Sequence, residues 1–205
     1  MTRKNLLLSA LFLTLTVTIF AQGVELTPFA GYTFQTTKNY SGGYTRIHDG
    51  FTYGGALTVA ASRYNAIELS YYRYETTAEA RTNYTGYEVF NGNVAMNYLL
   101  IGGQRLFPAS EKVTGFTGFN IGAGWMGSTD NAFSTMTKFA MGIDAGVKIM
   151  ASEKIGIRLQ TNLNFPITTA GGAFYVGTSG SGVAMYGYVP AWSFGFTGGL
   201  IFKVK

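Results

Sequence analysis

The sequence predicts an all-β protein: eight antiparallel strands, joined up-and-down and closed into a barrel that crosses a membrane. Three observations predict it. Apolar and polar residues alternate with a period of two over several segments. The connections between those segments alternate strictly between long and short. Charged residues are 12% of the chain, about half the ~25% of an ordinary soluble domain, which leaves too few to cover a water-facing surface. Glycine, at 28 of 205 residues, and aromatics, at 16%, are both abundant. There is no cysteine, which removes disulfides, thiol catalysis and thiolate metal sites, and the single histidine, His48, removes His-rich metal sites. No cofactor is expected.

The chain opens with a targeting segment. Met1-Thr2-Arg3-Lys4 is a basic start, Asn5 to Phe20 is uncharged and apolar, and the small Ala21 follows. This is the pattern of a secretory signal peptide cut near Ala21–Gln22. The apolar core is short for a spanning helix of ~20 residues, so the alternative, an uncleaved anchor, is disfavoured. Residues 22–205 are then the barrel domain. Cleavage takes Arg3 and Lys4 out of the +5 formal charge, and no nucleic-acid partner is expected.

Eight strands follow, at roughly 24–35, 51–60, 66–76, 89–106, 113–126, 137–150, 155–166 and 191–204. In the first, Leu26, Pro28, Ala30, Tyr32 and Phe34 alternate with Glu25, Thr27, Phe29, Gly31 and Thr33. Tyr53, Leu57 and Val59 mark the second, and Ile67, Leu69 and Tyr71 against Glu68, Ser70 and Tyr72 the third. Val94, Met96, Tyr98 and Leu100 form the apolar row of the fourth, opposite Asn93, Ala95 and Asn97. The fifth has ambiguous faces; Val113, Phe119, Ile121, Ala123 and Trp125 are read as outward. The sixth and seventh are the clearest hairpin. Phe139 to Ile149 and Ile155 to Phe165 place apolar residues at odd numbers, with Asp144, Lys148, Arg158, Gln160 and Asn162 at even ones. A helix would scatter these classes around its axis; a strand separates them. The eighth sets Trp192, Phe194, Phe196, Leu200 and Phe202 against Ser193, Gly195, Thr197 and Lys203.

Three connections are short, and two of them repeat one tetrapeptide, Ala109-Ser110-Glu111-Lys112 and Ala151-Ser152-Glu153-Lys154. Four are long: about 36–50, 77–88, 127–136 and 167–190. Short turns at one end and long loops at the other are the asymmetry of outer-membrane barrels. Closure follows because an unpaired backbone group in hydrocarbon costs several kcal/mol, which makes an open sheet edge untenable there. A soluble eight-stranded cup of the lipocalin kind would bury apolar side chains inside and keep polar ones outside; here the apolar rows are continuous and the opposite rows are too polar for an oily cup.

At this point a family likeness emerges. The opening Glu25-Leu26-Thr27-Pro28-Phe29-Ala30-Gly31-Tyr32, the block Asn97-Tyr98-Leu99-Leu100-Ile101-Gly102-Gly103-Gln104-Arg105 and the closing Gly198-Gly199-Leu200-Ile201-Phe202 resemble the small bacterial outer-membrane barrels, OmpA/OmpX-like, of the sort common in Bacteroidetes. The resemblance covers the whole predicted mature chain and implies fold and membrane rather than a function. It implies residence in the bacterial outer membrane, contact with its lipid and lipopolysaccharide, passage through the barrel assembly machinery, and a monomer. One departure is that Phe202 is followed by Lys203-Val204-Lys205, where such barrels end on an aromatic.

The inward rows carry Glu25, Glu68 and Asp144 together with Arg105, Lys148 and Arg158. Three acids against three bases read as a neutralised plug, because buried charges need partners; the alternative is a path for protons or ions. The inward rows otherwise read as polar, with Phe29 the exception. The long loops are the expected working surface. Tyr40, Tyr44, Tyr84, Tyr87, Tyr175, Tyr186 and Tyr188 lie there among Gly and Ser, a composition suited to binding. The glycine runs carry no Lys-Ser/Thr ending and are not phosphate loops. His48 beside Asp49 is not a ready catalytic dyad, since neighbours on a strand point to opposite faces. The expectation is therefore a non-enzymatic barrel, structural or binding at the surface through its loops. The alternatives are a narrow OmpW-like passage for small or hydrophobic molecules and, after it, a lipid-modifying enzyme.

Overall fold

The computed structural model describes residues 23–40, 43–82, 88–129, 135–166 and 192–204. The predicted signal peptide falls outside the described residues. Ten strands are present: β1 (Val24–Thr33), β2 (Thr36–Tyr40), β3 (Gly43–Ile47), β4 (Gly50–Ala60), β5 (Asn65–Thr82), β6 (Glu88–Pro108), β7 (Val113–Ser128), β8 (Met136–Met150), β9 (Ile155–Pro166) and β10 (Ser193–Val204). Eight of them form the closed antiparallel ring β1-β4-β5-β6-β7-β8-β9-β10. The seam is β1 against β10, from Val24↔Val204 to Thr33↔Gly195. It skips Thr27 and Pro28, where proline has no N–H to give.

Outward rows are as alternation predicts on seven of the eight ring strands. Leu26, Leu57, Ile67, Phe119, Ile121, Phe139, Ile143, Ile157, Phe196 and Leu200 are exposed, and Thr27, Glu68, Asn120, Asp144, Arg158 and Thr197 are buried. In a barrel wrapped in lipid this exposed apolar belt is the membrane face. The three short turns and both strand termini share one end. Lys203 N–H donates to the Lys154 carbonyl at 2.8 Å, and Met150 N–H to that of Lys112 at 2.8 Å.

Two expectations are corrected. The first is the span 36–50, expected as a loop. It folds as the β2–β3 hairpin, and β3 pairs with the far end of β5, from Gly43↔Thr82 to Ile47↔Ala78. Gly43 takes φ of 149° at the turn, open to glycine alone at little cost. The hairpin stands beyond the lipid belt, so neither of its faces needs an apolar row, and the period-two signal is missing. β5 and β6 accordingly run to 18 and 21 residues, past the expected 66–76 and 89–106.

The second is the facing of β6. Val94, Met96, Tyr98 and Leu100 point inward and are buried, whereas Leu99, Ile101 and Phe107 face out. Leu99-Leu100-Ile101 is apolar on both faces, so composition cannot choose between them. Register chooses: Leu100 pairs with inward Ser70, and Ile101 with outward Leu69 and Ile121.

The lumen consequently has two tiers, not the polar filling expected throughout. Toward the short turns it holds Glu25, Glu68, Asp144, Lys148 and Arg158 around Phe116. Toward the long loops Phe29, Tyr72, Tyr74, Val94, Met96, Tyr98, Leu100, Met126 and Ala140 pack into one apolar cluster. The cluster continues past the rim under Ile47 and Ala78, so the projecting hairpin is fastened by the same core.

Candidate functional site

The lower lumen centres on Arg158. It comes from β9 and Glu68 from β5, four strands apart in the ring of eight in either direction, so their contact crosses the barrel's full width. Both Nη atoms of Arg158 donate to the Glu68 carboxylate, Nη2 to Oε1 at 2.9 Å. Thr58 Oγ1 donates to Glu68 Oε2 at 2.7 Å. Glu68 is 0% and Arg158 1% exposed. A two-pronged, hydrogen-bonded geometry of this kind is what makes a buried ion pair tolerable.

The strand register explains the reach. Lys148 and Arg158 lie directly opposite each other on β8 and β9, an unfavourable pairing of like charges. Each is answered by an acid from elsewhere. Lys148 Nζ meets Glu25 Oε2 at 2.7 Å, with Lys203 Nζ 3.8 Å from the other oxygen of Glu25. Arg158 Nη2 also lies 3.9 Å from Asp144 Oδ1. The Phe116 ring carries both cations, with Arg158 Cζ at 4.5 Å and Lys148 Nζ at 5.7 Å from its centroid. Asn120 Nδ2 donates to the second Asp144 oxygen. Gln160 Nε2 donates to Tyr72 Oη at 3.1 Å and joins this tier to the apolar one above.

Five of the six predicted lumen charges thus meet. Arg105 does not. It lies on the outer face of β6, exposed, donating to Asn65 Oδ1 at 3.0 Å. The reason is the reversed facing of β6: with Leu100 inward, Leu99, Ile101, Gly103, Arg105 and Phe107 face out. Several buried polar atoms, among them Asp144 Oδ1, Asn120 Oδ1, Arg158 Nε, Asn162 Oδ1 and both amide atoms of Gln104, find no hydrogen-bond partner among the described residues. Buried groups of this kind are met by water.

Glycine makes room for this tier. A Cβ at Gly118 would lie 2.6 Å from Asp144 Oδ2 and 2.9 Å from its Cγ, because the Asp144 side chain lies flat across its cross-strand partner. Gly118→Ala is therefore expected to destabilise the barrel by about 1–3 kcal/mol, the range for overpacking. The check is the temperature at which the folded gel band is lost; an unchanged transition would mean Asp144 moves freely aside.

A second arrangement lies at the other end. Arg46 on β3 pairs with Glu79 on β5, Nη1 to Oε1 at 2.8 Å, and lies over the Tyr44 ring at 5.1 Å. His48 Nε2 is 4.0 Å from the other Glu79 oxygen. Glu79 and Arg81, expected in a loop, are on β5. Sequence reading missed the association of His48 with Glu79, since it depends on pairing between segments 31 residues apart. Tyr44 is on β3 and Tyr40 ends β2. Tyr84, Tyr87, Tyr175, Tyr186 and Tyr188 lie outside the described residues.

No protein-family model matches the chain, and no curated protein matches it by sequence. Solved structures do match by fold. The Neisserial surface protein A (NspA) aligns with TM-score 0.60 at 11% identity, covering 89% of this chain and 97% of that one. The outer membrane protein OprG from Pseudomonas aeruginosa aligns at 0.58 and 9% identity, covering 89% and 95%. The N-terminal β-barrel domain of Pseudomonas aeruginosa OprF aligns at 0.53 and 12%, covering 89% and 97%. At such identities the likeness is one of fold: this chain has the small transmembrane eight-stranded β-barrel.

Proposed function

We propose that the protein is a non-enzymatic outer-membrane barrel with a closed lumen, which acts at the cell surface through its projecting sheet and long loops. The observation that carries this reading is the Arg158–Glu68 pair, which spans the lumen with both partners buried. An eight-stranded barrel is just wide enough for side chains to fill it. Here an ionic layer and an apolar layer fill it in succession, which disfavours a diffusion pore.

In this reading the short turns face the periplasm and the β2–β3 hairpin faces outward. The hairpin supports surface binding because it is held as a sheet by β5 and presents Thr37, Lys38 and Asn39 to solvent. The cell-surface partner is unassigned; lipopolysaccharide is the surrounding partner on the outer leaflet.

The apolar upper tier favours one second reading, a narrow passage for small hydrophobic molecules. Such molecules would have to leave sideways, above the Arg158–Glu68 layer. Planar-bilayer conductance of purified protein, first shown to be folded by its heat-dependent gel mobility, separates closed from open. Silent bilayers are expected. Steady, reproducible channels would overturn the closed lumen and make solute passage the leading function.

A further inference from the structure

The three short turns share one backbone device and differ in charge. In each an Ala-Ser pair opens the turn. The serine Oγ accepts from the N–H groups two and three residues on: Ser62 from Tyr64 and Asn65, Ser110 from Lys112 and Val113, Ser152 from Lys154 and Ile155. Two of the turns continue with Glu-Lys and are neutral. The β4–β5 turn continues with Arg63-Tyr64, and Arg105 stands beside it on β6.

The two guanidiniums share one ring. Arg63 Cζ lies 5.7 Å and Arg105 Cζ 5.5 Å from the Tyr64 centroid. Arg105 is held there by Asn65, which is tied in turn to Ser62 at 3.1 Å. Tyr64 is anchored through its carbonyl, which accepts from Leu106 N–H at 2.8 Å. Among the described residues neither arginine has a carboxylate within salt-bridge distance. A ring face attracts cations but leaves their charge uncancelled, so two positive charges are gathered with nothing to neutralise them.

Their level in the membrane identifies the missing charge. Asn65 and Arg105 are register partners, and the next outward position above Asn65 is Ile67, fully in the lipid-facing belt. One strand repeat of two residues is about 7 Å, which sets the guanidiniums at headgroup depth below the hydrocarbon. The geometry points to a site for the phosphate of an anionic phospholipid of the adjoining leaflet, held between Arg63 and Arg105 with its glycerol end against Tyr64. Arginine suits a phosphate through its fork of N–H donors. The inference rests on the membrane-spanning reading above, in which this leaflet is the periplasmic one.

The test is lipid retention by native mass spectrometry. Full-length mature protein, folded by the gel criterion, is released from nanodiscs of equal phosphatidylethanolamine and phosphatidylglycerol. The wild type is expected to keep one phosphatidylglycerol with a preference on the order of thirtyfold, the scale set by two arginines at a membrane surface. R63Q/R105Q is expected to lose the preference. K112Q/K154Q removes as much charge from the other two short turns at the same end and is expected to keep it. Equal retention by R63Q/R105Q, or loss in K112Q/K154Q, would show a general charge effect and overturn the site. Protein that enters no bilayer would overturn the membrane reading as well, and it is recognised beforehand by the absent folded band.

Discussion

Replacing Arg158 with leucine is expected to lower the stability of the folded barrel by about 3–5 kcal/mol, the cost of removing one partner from a buried ion pair. The loss comes from Glu68 rather than from arginine itself. Glu68 is wholly buried and takes two of its hydrogen bonds from Arg158; the Thr58 hydroxyl alone remains. Lys148 is already committed to Glu25. Urea titration of the protein in detergent or lipid, read by gel mobility, gives the difference. Removing both charges, in E68Q/R158M, is expected to cost less than removing Arg158 alone, because no unpaired ion is then left behind. Conductance of R158L should stay at the wild-type level, since Phe116, the Lys148–Glu25 pair and the apolar tier above still fill the lumen. A large new current would show that the Arg158–Glu68 layer is the only barrier, and a cost near zero would show that the pair carries no structural load.

That expectation contains what alternation could and could not reveal. The parity of β5, β8 and β9 is legible because each has one row of apolar residues and one of polar residues, so Glu68, Asp144, Lys148 and Arg158 are placed inward from sequence alone. The same reading cannot say which acid meets which base. Arg158 and Glu68 are 90 residues apart and meet only because β5 and β9 fall on opposite walls of the ring. That fact depends on strand count and closure, not on local pattern. The β2–β3 hairpin was hidden for a different reason. Its residues stand beyond the lipid, where strand pairing is satisfied by β5 without any hydrophobic row. Arg105 was misplaced because it inherits the parity of β6, and β6 is apolar on both faces around Leu99, Leu100 and Ile101.

The facing of β6 is therefore the point at which structure and alternation make opposite claims, and two neighbouring residues decide it. Leu100 is 1% exposed and packs in the lumen cluster with Tyr98 and Met96; Leu99, next to it, is 44% exposed on the outer wall. Truncating Leu100 to alanine leaves a hole inside a rigid ring, and such losses run about 2–5 kcal/mol. The space cannot be filled by collapse, because Gly142 already brings the β8 backbone against it: a Cβ there would lie 2.8 Å from Leu100 Cδ1. Truncating Leu99 leaves a dent that lipid chains fill, so its cost should stay below about 1 kcal/mol, the residual of lost area with no cavity term. Unfolding midpoints of the two variants should thus separate clearly, with Leu100→Ala the weaker protein. The reverse order would turn β6 over, bring Arg105 back into the lumen and take Val94, Met96, Tyr98 and Leu100 out of the apolar tier. The second reading of the function, a passage for hydrophobic molecules, stands or falls with the same comparison, since that tier is the only feature of the described residues that favours it.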